Sequence, residues 1–499
     1  MNSNRTFHDI PTFPGGKKPR STNSIPLADL SRRELLRRTG CGFGFTALAG
    51  LATGESQALS AISSDPYSTL APKPTHHPAR AKRVIFLFMH GGVSHIDSFD
   101  PKPKLAELDG KPTPIEKPKF NFAPTGNLMK SPWNFKKYGQ CGMDVSELFP
   151  EIGSIVDDIC LIRSMNSDFV AHGGASLQLH TGDGILVRPS MGAWAVYGLG
   201  TDNENLPGFI SICPTVHHGG AQNYGTAFLP AVYQGTAIGD SVVPLKQKAG
   251  INNLEPAETD SSLQRRQLDL LAQRNRRHLA NTVTDPQLEA RIAAYELAFR
   301  MQMQAPEAMD ISQETNETFQ LYGINEDPTD DYGRACLMAR RLAERGVRFI
   351  QVTHGLPKAY WDAHGNLQEN HSRNAKKSDK PIAGLIKDLK RLGLLENTLV
   401  IFGTEFGRTP AAQSGNGRDH HPHAYSIWMA GGGVKGGMTY GATDELGYYV
   451  TEHSMHTHDF HATLLHFLGI DHTRLTYRYS GRDFRLTDVH GDVAHSIMS

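Results

Sequence analysis

Asn397-Thr-Leu-Val-Ile-Phe-Gly-Thr-Glu-Phe-Gly-Arg-Thr-Pro410 reads as an apolar strand that breaks into a glycine-containing loop, and the loop presents Glu405 and Arg408. A short way on, Gly417-Arg-Asp-His-His-Pro-His423 gathers Asp419, His420, His421 and His423. Carboxylate and imidazole together suit a hard or borderline divalent metal. In an open α/β sheet, ligands bind beyond the carboxyl ends of the strands. The pair of runs therefore predicts a metal site at the end of a parallel strand.

Working outward, the same pattern recurs. Arg83-Val-Ile-Phe-Leu-Phe-Met89 is apolar throughout, as a central parallel strand must be, and ends in His90-Gly-Gly. Ser94, His95 and Asp97 follow it. Val347–Val352 is another such strand, followed by His354, then Trp361-Asp-Ala-His-Gly-Asn366 and His371. Four strand ends thus carry ligand-type residues. Strands are also expected at Ile159–Arg163, Leu206–Ile212 and Ser426–Ala430, and helices at Leu148–Val156, from His172 to His180, at Tyr332–Arg345, Lys380–Leu392 and Asp459–Leu468. This alternation predicts an α/β fold, a doubly wound and mostly parallel sheet between helices. A helix-rich stretch broken at Pro286 predicts a helical insertion over about 255–325.

The totals narrow the possibilities. With 499 residues, 39% apolar and 20% charged, the chain can bury a large core. Lys+Arg and Asp+Glu are equal at 51 each, so nothing in the charge favours nucleic acid or an anionic membrane as partner. Histidine stands out at 24 copies, most of them between His354 and His495. Beyond the first sixty residues the cysteines are Cys141, Cys160, Cys213 and Cys336, enough for two disulfides in an oxidising compartment. Cys336-Leu-Met-Ala-Arg340 superficially matches a formylglycine motif, but it carries Met338 at the third place and lies in a predicted helix.

Residues 1–60 read as a twin-arginine signal peptide. Ser31-Arg-Arg-Glu-Leu-Leu-Arg37 precedes a Gly/Ala-rich apolar stretch and small residues at Ser56, Ala58 and Ser60. That stretch is too short and too rich in glycine for a stable membrane span. Residues 61–80 form a Pro/Ser/His linker and 81–499 the folded domain. The expected partner in transit is the twin-arginine export machinery, and the expected location is the periplasm or cell surface.

Val84 to Pro101, Gly403-Thr-Glu-Phe-Gly-Arg-Thr-Pro410 and the tail His458–Asp471 through Tyr477–Thr487 resemble the secreted family catalogued as domain of unknown function 1501, grouped with the alkaline phosphatase and sulfatase superfamily. The resemblance implies two divalent metals at the strand ends and a nucleophile at a helix start. Several positions depart from the superfamily pattern. His90 stands where the first strand usually ends in Asp, and Glu405-Phe406 replaces an Asp-His pair. Counting back from Thr181-Gly182 to the nucleophile lands on His172, with Ser176 as the nearest hydroxyl.

The resemblance implies His90, Asp362, His364, Glu405, His421 and His423 as metal ligands, with His172 and Arg408 at the reacting centre, Arg408 holding the anionic group. More imidazole and less carboxylate favours zinc or another transition metal over magnesium or calcium. The nucleophile is left between His172, Ser176 and metal-bound water. The expected function is an exported metal-dependent hydrolase of small phosphate or sulfate esters, and the alternative is a non-catalytic binding or assembly protein on the same scaffold.

Overall fold

A computed structural model describes residues 70–114, 126–245, 250–251, 261–280, 286–355 and 360–499. The signal segment and the first part of the linker lie outside them. The described residues belong to one compact unit.

Along the chain, β1 (Arg83–Met89) is followed by β2 (Ile159–Asn166), α1 (His172–Thr181), α2 (Met191–Leu199), β3 (Phe209–Ile212) and β4 (Thr236–Ile238). The expected insertion supplies α3 (Ser261–Ala280) and α4 (Pro286–Met309), then α5 (Asn316–Tyr322). Pro286 opens α4, where its missing N–H costs nothing. Next come α6 (Asp330–Glu344), β5 (Phe349–His354), α7 (Leu367–Arg391) and β6 (Thr398–Gly403). Then come β7 (Gly407–Gln413), β8 (Gly417–His421), β9 (Tyr425–Ala430), β10 (Met438–Tyr440), β11 (Met455–His456) and α8 (Thr457–Phe467), with a short hairpin of Tyr477–Tyr479 and Arg482–Phe484 beyond.

One nine-stranded sheet runs β10-β2-β9-β6-β1-β5-β3-β4, with β11 also paired to β2. β1 lies at its centre, parallel to both neighbours, and Met89 pairs with His354 while Phe88 pairs with Gly403. That register brings the carboxyl ends of β5, β1 and β6 level, so everything following them emerges on one edge. Only β9 runs antiparallel, between β6 and β2.

Strand alternation sorts the core into two layers. Ile85, Leu87 and Met89 pack with Leu337 and Leu342 of α6 and with Ile382, Leu385 and Leu389 of α7. Val84, Phe86 and Phe88 pack on the other face with Trp194 of α2 and Phe460 and Leu464 of α8. Each such buried side chain stabilises the fold by roughly 1.5–3 kcal/mol. Helices therefore cover both faces, as a doubly wound sheet requires.

Three expectations shift. The predicted helix at Leu148–Val156 shrinks to Pro150–Gly153 and a short 3-10 turn at Val156–Asp158. α7 begins at Leu367, well before Lys380, and carries Pro381 in its interior. No disulfide joins the four cysteines: Cys160, Cys213 and Cys336 are buried and Cys141 is exposed, all as free thiols. Cys336 sits inside α6, where burial pushes its thiol well up and denies it a role as nucleophile. Among the described residues, no helix is long and apolar enough to cross a membrane.

Candidate metal centre

The three level strand ends build the site. After β1, Gly91 and Gly92 turn with φ of 122° and 81°, a conformation suited to glycine. After β6, Thr404 and Glu405 fold over that turn. Glu405 is fully buried and accepts the Gly91 N–H at 2.9 Å, while Thr404 Oγ1 accepts the N–H groups of Gly92 and Val93 at 3.1 and 3.2 Å. His172, the first residue of α1, meets Glu405 with Nδ1 to Oε1 at 2.7 Å.

Two hairpin strands then close over the turn. β7 and β8 pair antiparallel, with His420 opposite Arg408 and a register shift between Arg418 and His420. Arg408 is fully buried. Its Nε donates to the Gly92 carbonyl at 3.0 Å and Nη1 to the Arg418 carbonyl at 3.1 Å. Nη2 donates to the Gly91 carbonyl and to Asp362 Oδ1, the latter at 2.8 Å. Arg408 is thus a wholly buried strut that fixes Asp362, with most of its N–H donors spent on Gly91, Gly92, Arg418 and Asp362 and none reaching solvent. That corrects its expected role, because a guanidinium surrounded by carbonyls has spent its fork on the backbone.

Around Asp362 stand three imidazoles. His172 Nε2 is 3.4 Å from Oδ2, His364 Nε2 3.1 Å from Oδ1 and His420 Nε2 3.3 Å from Oδ1. Asp419 lies 3.7 Å from His364 Nδ1, which also meets the Gln413 side chain. On the inner side, His90 Nε2 is 2.9 Å from His218 Nδ1, and the His172 and His218 rings stack 4.9 Å apart. Among the described residues, three groups of side chains bring ligand atoms within 4.8 Å of one another: His90, His172 and His218; His172, Asp362 and His420; and His364, Asp419 and His420. Phe406, where a second imidazole was the superfamily expectation, is buried and forms an apolar wall against His172 and His420 at 4.8 and 4.5 Å.

The electrostatics follow from this packing. Burial would raise Asp362, but hydrogen bonds from His172, His364 and His420 and the charge of Arg408 hold it far below the ordinary carboxylate range. Burial also opposes the charge on Glu405, and its His172 partner overrides that to hold it down to about 2. His172 is raised, its burial outweighed by its two carboxylate partners. Burial lowers His90 and His420, each to about 4, so both are neutral and able to ligate at neutral pH.

These residues fit a divalent transition metal. The buried His172 Nε2 has only the Asp362 carboxylate near it, at 3.4 Å, its other nitrogen is committed to Glu405, and a mixed nitrogen and carboxylate donor set surrounds it.

The structure brings together His90, Asp362, His364, Glu405 and His172, all singled out in the sequence. Glu405 faces His172 and the Gly91 N–H and belongs to none of the three ligand groups. His421 and His423 are not brought in. His421 Nε2 bonds the Tyr448 carbonyl at 2.6 Å, and His423 packs on His421 and Tyr449 at 5.5 and 5.8 Å. Gly417–His421 is itself a strand, so neighbours face opposite ways and His420 takes the place expected of His421. Ser176 is wholly enclosed one turn into α1. His218 went unnoticed, although His218-Gly-Gly after β3 repeats His90-Gly-Gly after β1.

The model of the family described as "Protein of unknown function (DUF1501)" matches residues 81–498. The chain belongs to the DUF1501 family. Among solved structures, this DUF1501 chain is similar to the PsFucS1 sulfatase from Pseudoalteromonas sp., at 12% identity over 78% of this chain and 68% of that one, with a TM-score of 0.31. It is similar to a protein in the alkaline phosphatase superfamily from Vibrio parahaemolyticus, at 10% identity over 83% and 72%, TM-score 0.35. It is also similar to the phosphonate monoester hydrolase of Agrobacterium radiobacter, at 11% identity over 78% and 74%, TM-score 0.34. No curated protein matches the DUF1501 chain.

Proposed function

We propose that this protein is an exported metal-dependent hydrolase of phosphate or sulfate esters. The observation that carries the reading is Asp362, set among three imidazoles and fixed from behind by Arg408, with its side chain 29% exposed beside a 37% exposed His364. His172, Asp362 and His420 would hold the ion. A divalent ion there supplies positive charge to the oxygens of a transferred phosphoryl or sulfuryl group.

The chain's own residues prepare that position. Glu405 keeps the proton of His172 on Nδ1, which leaves the Nε2 lone pair directed at the site. Arg408 holds Asp362 in one orientation. Phe406 lines the inner wall and keeps water from the back of the imidazoles. Because Arg408 is wholly buried and turned toward Asp362 and backbone carbonyls, the ester's charge falls to the ion, and this supports metal dependence. Export through the twin-arginine pathway rests on the Ser31–Arg37 motif.

The test is hydrolysis of p-nitrophenyl phosphate, sulfate and phosphonate esters by the mature protein, stripped with a chelator and reloaded with zinc, manganese or cobalt. Turnover should require the metal and fall by about a hundredfold or more in Asp362→Asn, matching several kcal/mol of lost charge stabilisation. A fully loaded protein that hydrolyses none of these esters overturns the reading. The second reading, a binding or assembly protein, is supported by the enclosed Ser176 hydroxyl and the committed Arg408, and that result would favour it.

A further inference from the structure

We propose that α3 is a docking helix for an anionic phospholipid surface, which it meets with an outward stripe of Leu263, Arg266, Leu270, Arg274 and Arg277. The inference is independent of the metal centre and of the ester chemistry.

The charge of the whole chain is balanced, and that balance hides a local excess. α3 reads Ser261-Ser-Leu-Gln-Arg-Arg-Gln-Leu-Asp-Leu-Leu-Ala-Gln-Arg-Asn-Arg-Arg-His-Leu-Ala280, with five arginines against one acid, Asp269. Asp269 is already paired, because Arg265 Nε donates to it at 2.9 Å. The same guanidinium donates through Nη1 to Glu296 of α4 at 2.7 Å, and Gln264 donates to Gln302 of α4 at 2.9 Å. Polar groups thus stitch α3 to its neighbour.

Helical spacing turns Leu263, Arg266, Leu270, Arg274 and Arg277 away from those contacts in one stripe, with Leu271 beside it. Arg266, Arg274 and Arg277 are exposed, Leu271 is 40% exposed, and Leu263 and Leu270 are half-buried. No described side chain of α3 is buried. A helix that served only its own domain would turn its leucines inward and leave charge alone outside. α3 instead sets leucines among exposed arginines.

The stripe fixes the chemistry of what covers it. It holds no acidic residue, so its complement is negative, and a second α3 laid on it would oppose arginine to arginine. A partner helix fits poorly too. As a coiled-coil seam the face reads Leu263, Arg266, Leu270, Gln273 and Arg277, which would bury two guanidinium groups and an amide. A headgroup layer accepts both kinds of residue. The guanidinium groups reach phosphates, while their stems and the leucines lie along the acyl boundary.

The dimensions agree. From Leu263 to Arg277 the stripe runs about 21 Å along the helix axis, and no described helix is long and apolar enough to cross a membrane. α3 therefore rests on the surface without spanning it. On α4, Tyr295 and Met303 are 51% and 62% exposed, further apolar groups on the same helix pair.

The experiment is flotation of the mature protein with vesicles of phosphatidylcholine alone, and of phosphatidylcholine and phosphatidylglycerol in equal parts. Binding to the phosphatidylglycerol vesicles only, weakening as salt rises, is expected. Arg266→Gln/Arg274→Gln/Arg277→Gln should weaken it by about a hundredfold, and Leu270→Ser/Leu271→Ser by about tenfold. Each variant is compared with the wild type by circular dichroism, and the arginine variant decides alone if the leucine variant does not fold. No flotation of the wild type at low salt overturns the proposal and leaves the stripe to an acidic protein partner. Flotation of the arginine variant equal to that of the wild type also overturns it, because another surface is then responsible. Binding unchanged by the loss of the leucines means a diffuse electrostatic contact and overturns the docked helix.

Discussion

At Gly92 the backbone takes φ near +81°, and a Cβ added there would stand 2.7 Å from the Phe406 ring. The two residues therefore constrain each other: the strand end can bend over Glu405 only if one is glycine and the other keeps its place. Gly92→Ala should destabilise the protein by about 2–5 kcal/mol, from left-handed strain of about 1–2 and overpacking of about 1–3. Urea unfolding measures this. Adding Phe406→Leu should recover part of the loss, whereas strict additivity would mean that the two residues do not press on each other. Much of this scale was legible. His90, Asp362, His364 and Glu405 declare themselves by following strands with ligand-type side chains. The direction of a side chain did not. Arg408 looks free in the sequence because nothing there reveals that the Gly91, Gly92 and Arg418 carbonyls will surround it.

At the scale of elements, the start of α8 shows how local chemistry fixes a boundary. His456 is the N-cap, its side chain accepting the His458 N–H at 3.3 Å, and Asp459 returns the favour by accepting the His456 N–H at 2.9 Å. Asp459 also accepts the Asp492 N–H at 2.7 Å, tying the chain's tail to the helix. Asp459→Ala should cost about 1–2 kcal/mol, read as a lower thermal midpoint together with faster proteolysis near Asp492. An unchanged midpoint would deny the cap its role. A cap is legible because it needs only nearest neighbours. The β7–β8 hairpin is harder to read, since its turn at Ser414-Gly-Asn416 looks like any polar loop and its Gly417–His421 strand is short and rich in polar residues. The expectation of His421 failed there: one residue of register turns a side chain to the other face, and register is set by the partner strand.

Across the whole molecule, the fold was legible because β1, β5 and β6 are apolar on both faces, and only the central strands of a covered sheet need that. The same coverage seals histidines into the core. His180, His354, His371 and His461 are buried, and burial lowers the first to about 4 and the other three to about 3. The unfolded chain takes up those protons near pH 6.5 while the folded chain refuses them. Stability is therefore full above about pH 6.5 and is lost as pH falls toward about 3–4, by about 2 kcal/mol per histidine at about pH 5. Urea midpoints measured from about pH 7 down to about pH 5 should drop steeply, and a flat profile would mean that these rings are protonated in the folded protein. A last consequence concerns timing. The His90 and His218 nitrogens that meet at 2.9 Å are 128 positions apart in the chain, and they meet only after β5 has been laid between β1 and β3. A nascent or threaded polypeptide has no such meeting point, so the proposed ion would find its ligands together once the sheet is complete, and whichever compartment completes the sheet would set the metal supply that site meets.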